Sequence, residues 1–382
     1  MQTASDPEGG NVKVVLSVEA LMPTLTGIGR YTWELASRLP WSLGDDCVRY
    51  YRQGRWIPDC GPLLRSMDSL HARRRKLSPP RWLRAFGMKL ACRGRIFHGP
   101  NYFLPPCADA GVATVHDLSV FKFPETHPVE RVRHFEQEFR RSLARSAHLI
   151  TDSEATRREV IDFLGWPADK ITAVPLGVAP RFAPRADADV TTPLRKYGLT
   201  PGGYALCVST LEPRKRIDHL IRAYGALSRP LRAQFPLVLA GSQGWQNARL
   251  LQEISRATGQ GWLRYLGFVP EADLLQIYAG ARLFVYPSIY EGFGLPVLEA
   301  MASGVPVVAS NRASLPEVTK GAALLVDPDD MDALMQSVRT GLVCDAWRSS
   351  ARSQGLRVAQ DFSWDRCVEQ TIRVYRRVTE TL

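Results

Sequence analysis

Two glutamates and two glycines lie close together in residues 286–299. Gly292 and Gly294 follow an apolar run that predicts a strand, and a helix is predicted to begin directly after them. Glycine in such a loop lets the backbone approach a ligand closely, and the amides at a helix N-terminus favour anions. A carboxylate can also accept two hydrogen bonds from a vicinal diol. The segment therefore predicts a loop that binds an anion and a polyol, with Glu291 and Glu299 as its carboxylates.

A basic segment at residues 209–216 also follows a predicted strand and opens a predicted helix. Cations at a helix N-terminus oppose the helix dipole unless an anion offsets them. A guanidinium and an ammonium group together suit a diphosphate. Arg214 and Lys215 therefore predict a diphosphate site. The alternative for this segment, and for Glu299, is an ordinary solvated helix start.

The second half of the chain alternates short apolar runs with amphipathic segments. The predicted strands cover residues 204–210, 236–240, 263–267, 282–286, 305–309 and 322–326, and the clearest helix covers 216–228. Such alternation predicts a parallel sheet with helices on both faces. Ligands of these sheets bind at the carboxyl ends of the strands. Because both candidate segments follow a strand, we expect them to meet at one edge of the sheet.

The first half carries fewer clear elements. Strands are predicted at Val12–Val18, Gly111–Val115 and His148–Thr151, a strand end near residues 95–100, and helices at Arg30–Leu39 and Ala155–Phe163. Ser153 is the predicted N-cap of the second helix. Residues 178–200 contain three prolines and little apolar periodicity, which predicts a linker. A helix is predicted again over Trp364–Val378.

Length and composition set the outer limits. The 382 residues favour two domains, predicted as residues 1–182 and 183–362. No run of about 18 apolar residues is present, so a membrane-spanning helix is not expected, and residues 1–10 lack the apolar core of a secretion signal. The seven cysteines are widely spaced and form no CxxC pair, which argues against a disulfide framework or a zinc site. These features predict a protein of the reducing cytosol.

The net charge of +11 is concentrated in one block. Residues 51–100 hold 12 Lys and Arg against 2 Asp and Glu, a local net charge of +10. Aromatic and aliphatic side chains alternate with the cations at near-helical spacing, a pattern typical of a helix at a membrane surface, although a solvated basic loop is the alternative. Each cation near anionic lipid contributes on the order of 1 kcal/mol. The residues predicted to contact the membrane are Arg73, Arg74, Arg75, Lys76, Arg81, Trp82 and Arg84.

The order of these motifs resembles family 4 of the retaining glycosyltransferases, which have the GT-B fold. Glu291 and Glu299 match the paired-glutamate motif of that family, and residues 212–215 match its basic motif. Shorter matches lie at residues 26–31, 97–102, 115–117, 153–154, 266–269, 310–311 and 315–317. Two positions depart from the pattern, since Ser209 stands where many relatives have arginine and Thr26 stands where glycine is commoner.

The resemblance implies an α/β protein with two Rossmann-like domains that face each other across a cleft. The N-terminal domain would bind the acceptor, the C-terminal domain would bind the nucleotide-sugar, and residues 363–382 would form a helix that packs back on the N-terminal domain. The residues implied to be catalytic are His116, Arg214, Lys215 and Glu291. The residues implied to bind the donor are Gly27, Gly29, Phe268, Val269, Phe293, Gly294, Leu295 and Glu299. Those implied on the acceptor or sugar side are His98, Asn101, Tyr102 and Asp117.

The implied chemistry is a glycosyl transfer with retention of configuration. Arg214, Lys215 and helix amides would stabilise the charge of the departing diphosphate, and Glu299 would bind the ribose hydroxyls. Glu291 would face the donor sugar, and His116 would contact it near the reacting carbon, with its backbone as one possible contact. The acceptor would attack from the front face, and the leaving phosphate would take its proton. No Asp-x-Asp signature stands where it would be expected, so no metal or other cofactor is predicted.

The similarity to bacterial mannosyltransferases of polysaccharide assembly predicts a GDP-linked hexose, such as mannose, as the donor. The acceptor would be a saccharide or lipid-linked saccharide, and the enzyme would lie at the cytoplasmic face of the plasma membrane without a nucleic-acid partner. A UDP-sugar-dependent enzyme of the same fold is one alternative. A Rossmann oxidoreductase is disfavoured because no GxGxxG follows the first strand. A non-catalytic protein that binds membranes or nucleic acid through residues 73–95 is the remaining alternative.

Overall fold

The computed structural model describes residues 12–65, 81–108, 110–126, 129–244 and 247–381, with the backbone alone for residues 81–85 and 126. Within these ranges the chain forms two compact units. Unit 1 consists of residues up to 118, residues 130–176 and the helix that begins at Trp364, and unit 2 consists of residues 119–129 and 177–363. The chain therefore leaves unit 1 after residue 176 and returns to it at Trp364.

The elements are numbered along the chain. The strands of the described residues are β1 Val14–Ser17, β2 Val48–Arg52, β3 Arg55–Ile57, β4 Ile96–Gly99, β5 Gly111–Val115, β6 Ser146–Thr151, β7 Ile171–Ala173, β8 Ala205–Val208, β9 Leu237–Ala240, β10 Leu263–Tyr265, β11 Leu283–Tyr286, β12 Val307–Ser310 and β13 Leu324–Val326. The α-helices of the same residues are α1 Gly27–Leu43, α2 Arg81–Cys92, α3 Ser119–Lys122, α4 Val129–Leu143, α5 Glu154–Leu164, α6 Asp187–Arg195, α7 Ile217–Gly225, α8 Arg229–Gln234, α9 Ala248–Gly259, α10 Glu271–Ala279, α11 Leu295–Ala302, α12 Leu315–Thr319, α13 Met331–Val343, α14 Asp345–Ala359 and α15 Trp364–Thr381.

Each unit is built around one sheet. In unit 1 the strand order is β3-β2-β1-β4-β5-β6-β7, and every pair is parallel except β2 with β3. In unit 2 the order is β10-β9-β8-β11-β12-β13, and every pair is parallel. The order reverses between β1 and β4 in unit 1 and between β8 and β11 in unit 2. In open parallel sheets, ligands bind beside such a reversal at the carboxyl ends of the strands.

The central strands are buried along their whole length. Every residue of β1, β4 and β5 is buried in unit 1, and every residue of β9, β11 and β12 is buried in unit 2. Parallel strands covered by helices on both faces show such continuous apolar runs rather than an alternating pattern. The expected α/β architecture with two Rossmann-like units is confirmed.

The helix α15 belongs to unit 1 because of its apolar stripe. Val368, Ile372, Tyr375 and Val378 lie three or four residues apart and are buried, and the helix packs against α1, β4 and β6. Full burial of such an aliphatic side chain contributes about 1.5–3 kcal/mol. This confirms that the C-terminal helix packs back on the N-terminal domain.

Most of the predicted elements are found with small shifts of their ends. The six strands predicted in unit 2 agree with the observed ones within two residues, and β5 has the predicted bounds Gly111–Val115. Ser153 caps α5, since its hydroxyl accepts a hydrogen bond from the amide of Thr156 at 3.1 Å. The local signals of strand composition and capping therefore predicted these elements correctly.

The linker predicted at residues 178–200 is wrong in part, because α6 lies inside it. Val190 and Leu194 are four residues apart and fully buried, so one face of this nine-residue helix packs on the core. Two apolar residues give only a weak periodic signal. Pro193, which lies in the last turn of the helix, also argued against a helix here. The edge strand β3 and its neighbour β2 were not predicted either, because their sequences are rich in arginine and aromatic residues.

Three chemical features of the described residues complete the description. No helix in the described ranges has the length and apolar character needed to cross a membrane. All seven cysteines are free, and six of them are buried. Among the residues placed by the structure, no group of three or more His, Cys, Asp and Glu side chains could hold a metal ion. The predicted metal independence stays a prediction.

Candidate active site

The two candidate segments of unit 2 meet at the reversal of its sheet. Residues 209–216 follow β8 and residues 287–294 follow β11, and these two strands are neighbours. The amide of Ile289 donates to the carbonyl oxygen of Arg214 at 3.0 Å, and the hydroxyl of Ser288 lies 3.4 Å from the same oxygen. Both segments therefore share one edge of the sheet, as the order of strands and loops predicts.

Lys215 lies at the centre of this site. Its ammonium group donates to Glu291 Oε1 at 2.5 Å and to the hydroxyl of Tyr286 at 3.1 Å. The same hydroxyl donates to Glu291 Oε1 at 2.9 Å. Because Lys215 is only 6% exposed, the ion pair is shielded from water. Breaking a buried pair by removing one partner costs about 3–5 kcal/mol.

Arg214 lies near the second carboxylate oxygen of Glu291. Its Nε donates to Glu212 Oε2 at 3.0 Å, and its Nη1 donates to the carbonyl oxygen of Tyr290 at 2.9 Å. The same Nη1 lies 3.7 Å from Glu291 Oε2. Arg214, Lys215, Glu212 and Glu291 thus form one cluster of two cations and two carboxylates.

Burial and neighbouring charges set the ionisation of this cluster. Burial lowers the pKa of Lys215, and repulsion from Arg214 lowers that pKa further. Burial alone would raise the pKa of Glu291, but the attraction of Lys215 and Arg214 outweighs it, so this pKa lies below its usual value. Burial raises the pKa of the Tyr286 hydroxyl, and the negative charge of Glu291 raises it further. The hydroxyl therefore keeps its proton and remains a hydrogen-bond donor. Glu291 is ionised at neutral pH and holds Lys215 in place.

The loop between β11 and α11 is held in one shape by Gly294 and Ser314. Gly294 has a φ of +103°, and a Cβ at this position would lie 2.6 Å from Leu315 Cδ2. The buried hydroxyl of Ser314 lies within hydrogen-bond distance of the carbonyl oxygens of Glu291 (2.9 Å) and Phe293 (2.8 Å). Only glycine fits position 294 without strain, so the backbone ahead of α11 is fixed.

Glu299 lies in the second turn of α11, and Leu295 is the first residue of that helix. Glu299 is half-buried and interacts with Tyr278, where its charge adds to burial in raising the pKa of the hydroxyl. The ribose contact predicted for Glu299 stays a prediction, and so does the contact of the Leu295 amide.

The aromatic residues predicted at the donor differ in exposure. Phe293 is 4% exposed and packs edge-on against Phe362, with ring centroids 5.7 Å apart. Phe268 is 58% exposed, whereas Val269 beside it is 7% exposed. An exposed phenylalanine after a strand end offers a free ring face to a flat ligand. The predicted contacts of these residues with the base and phosphate stay predictions.

His116 follows β5 in unit 1, and both of its ring nitrogens are engaged. Nδ1 lies 2.7 Å from Asp152 Oδ2, and Nε2 lies 2.8 Å from the carbonyl oxygen of Pro100. Burial alone would lower the pKa of His116, but Asp152 outweighs it and the pKa is raised. Both partners accept hydrogen bonds, which matches a protonated imidazole beside a carboxylate. A contact between His116 and a sugar would therefore use the backbone rather than the ring.

Tyr102 and Asp117 lie beside His116. The ring of Tyr102 packs edge-on against the imidazole at a centroid distance of 5.8 Å. Its hydroxyl accepts from the amide of Asp117 at 3.1 Å and lies 3.3 Å from Asp117 Oδ1. Tyr102 has a φ of +62°, a strained value for a residue other than glycine. Asn101 precedes it, so the structure gathers three of the four acceptor-side residues near His116.

His98, the fourth of these residues, is fully buried inside unit 1. Its Nδ1 lies 2.6 Å from the hydroxyl of Tyr375 on α15, and its Nε2 lies 2.8 Å from the hydroxyl of Thr114 on β5. Burial lowers the pKa of His98 to about 3, so the ring is neutral at physiological pH. The ring connects α15 to the sheet through these two hydrogen bonds, so neither of its nitrogens is free to contact an acceptor saccharide. The acceptor contact of His98 stays a prediction.

The first loop of unit 1 ends in the glycines predicted to approach the diphosphate. Gly27 begins α1, and the hydroxyl of Thr26 caps this helix by accepting from the amide of Gly29 at 3.3 Å. A Cβ on Gly29 would lie 3.0 Å from the carbonyl oxygen of Ala20. The departure from glycine at Thr26 therefore has a structural reason, because threonine supplies a capping oxygen.

The predicted membrane residues fall largely outside what the structure describes. Arg73, Arg74, Arg75 and Lys76 lie outside the described residues, and the side chains of Arg81, Trp82 and Arg84 on α2 are not described. The next turn of α2 carries Phe86 and Leu90, which are 68% and 60% exposed. These two residues are four apart and share one face of the helix.

Four residues of the site were missed by sequence reasoning. They are Tyr286, Ser288, Ser314 and Asp152. Asp152 and Tyr286 carried a signal, because each is a polar residue at or just beyond the end of a strand. Ser288 and Ser314 carried none, because they contact backbone carbonyl oxygens in segments distant along the chain.

Two family profiles match most of the chain. The profile of Glycosyltransferase Family 4 matches residues 25–182, and the profile of Glycosyl transferases group 1 matches residues 195–354. The two matches correspond to most of the N-terminal and C-terminal predicted domains, respectively.

Individual proteins are similar over different shares of the chain. O-antigen chain mannosyltransferase B of Escherichia coli is 40% identical over 379 residues, which cover 96% of this chain and 100% of that protein. The serotype-specific mannosyltransferase WbdA of Escherichia coli is 30% identical over 241 residues, 62% of this chain and 29% of that protein. The crystal structure of Anabaena Alr3699/HepE in complex with UDP and glucose has a TM-score of 0.68 and 18% identity, covering 95% of this chain and 98% of that chain. This last likeness concerns the fold.

Proposed function

The chain belongs to the family 4 glycosyltransferases, and on this premise we propose that it transfers mannose from GDP-mannose to a saccharide acceptor. The acceptor is a free or lipid-linked saccharide in the assembly of a cell-surface polysaccharide. The mannosyl group and the polysaccharide are supported by the two Escherichia coli mannosyltransferases, of which the first is similar along its whole length.

The observation that carries this proposal is the meeting of Arg214, Lys215 and Glu291 at the carboxyl ends of β8 and β11. A departing nucleoside diphosphate gains negative charge in the transition state, and fixed cations stabilise it best when they need no reorientation. Glu291 holds both cations in place before the donor binds. When the diphosphate arrives, it shares Lys215 and Arg214 with Glu291, and the carboxylate then accepts a hydroxyl of the donor sugar.

The proposed transfer retains the configuration of the sugar. The acceptor hydroxyl oxygen forms a bond to the anomeric carbon on the face from which the diphosphate departs. The bond from this carbon to the diphosphate oxygen breaks, and its electron pair leaves with the GDP. The same diphosphate oxygen takes the proton of the acceptor hydroxyl. In this scheme Arg214 and Lys215 stabilise the leaving group, and no side chain acts as a nucleophile.

We place the saccharide acceptor on unit 1, near His116, Tyr102 and Asp117. A lipid-linked acceptor would also require the enzyme to reach a membrane. The exposed Phe86 and Leu90 on a basic helix support a peripheral contact with an anionic bilayer, since such helices bury an apolar face among the headgroups. The proposed location is therefore the cytoplasmic face of the membrane.

A donor panel tests the proposal. The purified protein is incubated with GDP-mannose, GDP-fucose, UDP-glucose or UDP-N-acetylglucosamine and an α-mannoside acceptor, and nucleotide release and product mass are measured. Of the four donors, we expect only GDP-mannose to give acceptor-dependent nucleotide release and a mannosylated product. Faster release from a UDP-sugar would overturn the donor assignment, and a β-anomeric product by nuclear magnetic resonance would overturn retention.

A further inference from the structure

A groove with aromatic walls lies on unit 1 at the edge formed by β2, β3 and the second half of α1. Its cavity volume is about 770 Å³, within the range of about 300–1,000 Å³ of small-molecule sites. Its main lining residues are Trp33, Trp41, Tyr50, Trp56, Asp45 and Asp59. None of them belongs to the predicted catalytic, donor or acceptor residues.

The walls of this groove are held by the fold. The hydroxyl of Tyr50 on β2 donates to the carbonyl oxygen of Ala36 on α1 at 2.7 Å, which ties the strand to the helix. Trp56 on β3 pairs across from Tyr51 on β2, and their rings meet edge-on at a centroid distance of 6.4 Å. The aromatic walls therefore lie on regular elements, whereas Asp59 lies in the loop that follows β3.

The groove leaves large aromatic surfaces in water. Trp41 is 91% exposed and Trp56 is 36% exposed. Exposed apolar patches rimmed by polar groups mark interaction sites on soluble proteins. The guanidinium of Arg49 lies 5.8 Å from the centre of the Trp56 ring and adds a polar donor at the rim.

The lining chemistry suits a neutral polyol. A pyranose ring presents an apolar C–H face, which packs on an indole, and a rim of hydroxyls, which donate to carboxylates. One oxygen of Asp59 accepts from the amide of Gly61 at 2.8 Å, which orients the carboxylate and leaves its second oxygen for a ligand. Among the charged lining residues, Asp45 and Asp59 supply hydrogen-bond acceptors and Arg49 supplies a donor.

We propose that this groove is a second saccharide site, which binds a non-reacting stretch of an oligosaccharide acceptor. This inference rests on the proposed function, because it takes the acceptor to be a saccharide. Binding at a second point makes the encounter at the first intramolecular, with an effective concentration that reaches the millimolar range for short connections. Long acceptors would then be used better than short ones at low concentration.

Two substitutions test the groove by binding. Trp41→Ala and Asp59→Asn change the groove, whereas Phe163→Ala removes another exposed aromatic residue, 53% exposed, from α5 of the same unit. Isothermal titration with α-mannotetraose should give two binding events for the unchanged protein and for Phe163→Ala. Only one event should remain in Trp41→Ala, and in Asp59→Asn the groove event should weaken at least threefold. Unchanged titrations for both groove variants would overturn the proposal.

Kinetics separates this inference from the proposed function. Trp41→Ala should lower kcat/KM for a long α-mannan acceptor about tenfold and leave kcat/KM for methyl α-mannoside unchanged. If GDP-mannose supports no transfer, the proposed function fails while the titration still reports on the groove. If Trp41→Ala binds the tetraose normally but loses binding to phosphatidylglycerol vesicles, the groove is a membrane contact and the saccharide assignment is wrong.

Discussion

Glu291 and Lys215 have interdependent roles that neither residue type reveals alone. The sequence indicated that both lie near a ligand, since each follows a strand end. The 2.5 Å pair between them, and the part played by Tyr286, could not be read from the sequence because they depend on which strands are neighbours. The site therefore has cations that are positioned before a diphosphate arrives.

Lys215→Met removes the central cation. We expect kcat/KM for the donor to fall by about 10²–10³, the usual cost of losing one charge-stabilising donor. Stability should also fall, because the nearest cation left to the buried Glu291 is the more distant Arg214.

The double variant Lys215→Met with Glu291→Gln separates these two effects. It removes the unpaired carboxylate, so the free energy of unfolding should recover while kcat/KM stays low. Urea denaturation and steady-state kinetics provide the two measurements. If Lys215→Met alone kept the wild-type kcat/KM, this would contradict the proposal that Lys215 stabilises the diphosphate.

The buried ring of His98 predicts a pH dependence of stability. Burial lowers its pKa to about 3 in the folded protein, against about 6.5 in an unfolded chain. Between these values the unfolded state binds more protons, so the free energy of unfolding rises with pH and is lost as the pH falls from 6.5 towards 3. The slope for one such group is at most about 1.4 kcal/mol per pH unit.

His98→Gln removes this titration and keeps a group that can bond Thr114. Urea denaturation between pH 4.5 and 6.5 should show a smaller slope in the variant than in the unchanged protein. His148, with a pKa lowered by burial to about 4, still titrates in both proteins and gives a remaining slope of the same sign. Equal slopes for the two proteins would show that His98 does not titrate on unfolding.

At the scale of elements, local signals were sufficient where they were strong. The β-branched run gave the observed bounds of β5, and the cap gave the ends of α5 to within one residue, because these features act through neighbouring residues. The helix α6 was hidden, because its stability comes from two side chains buried against distant residues. Tertiary packing, which the sequence does not display, decided that element.

The loop before α11 gives a prediction at this scale. Gly294→Ala would place a Cβ 2.6 Å from Leu315 at a φ of +103°. We expect the loop to shift, with a loss of stability of about 1–3 kcal/mol and at least tenfold weaker binding of GDP.

Gly321→Ala is the matched control for this loop. Gly321 also has a positive φ, +81°, but nothing lies within 4 Å of its added Cβ. This variant shares the backbone strain without the clash, so calorimetry should show unchanged GDP affinity. Equal GDP affinities for the two variants would contradict the assignment of the loop to the donor site.

At the scale of the whole molecule, the charge distribution suggests a membrane contact. Replacing Arg73, Arg74 and Arg75 by glutamine removes three cations from the basic block. At on the order of 1 kcal/mol for each cation, the affinity for phosphatidylglycerol vesicles should fall about 100-fold. Vesicle flotation at low and high salt measures this, since added salt screens the attraction.

The control for the membrane experiment removes the same number of positive charges from another part of the protein. Arg195, Arg256 and Arg339 are exposed and belong to unit 2, so their replacement by glutamine should leave flotation almost unchanged. An equal loss of binding in both triple variants would mean that net charge acts without regard to position. The donor-panel activity of both variants should remain, because none of these arginines lies in the proposed site.

The return of α15 to unit 1 affects how the protein emerges from the ribosome. Strands β4 and β6 are synthesised early, but the helix that covers them is made only after residues 177–363. At about 5–20 residues per second, this interval lasts about 10–40 seconds. During that time the nascent chain presents the uncovered hydrophobic face of unit 1, including the polar ring of His98 without the hydroxyl of Tyr375. A ribosome-associated chaperone would find its binding surface there.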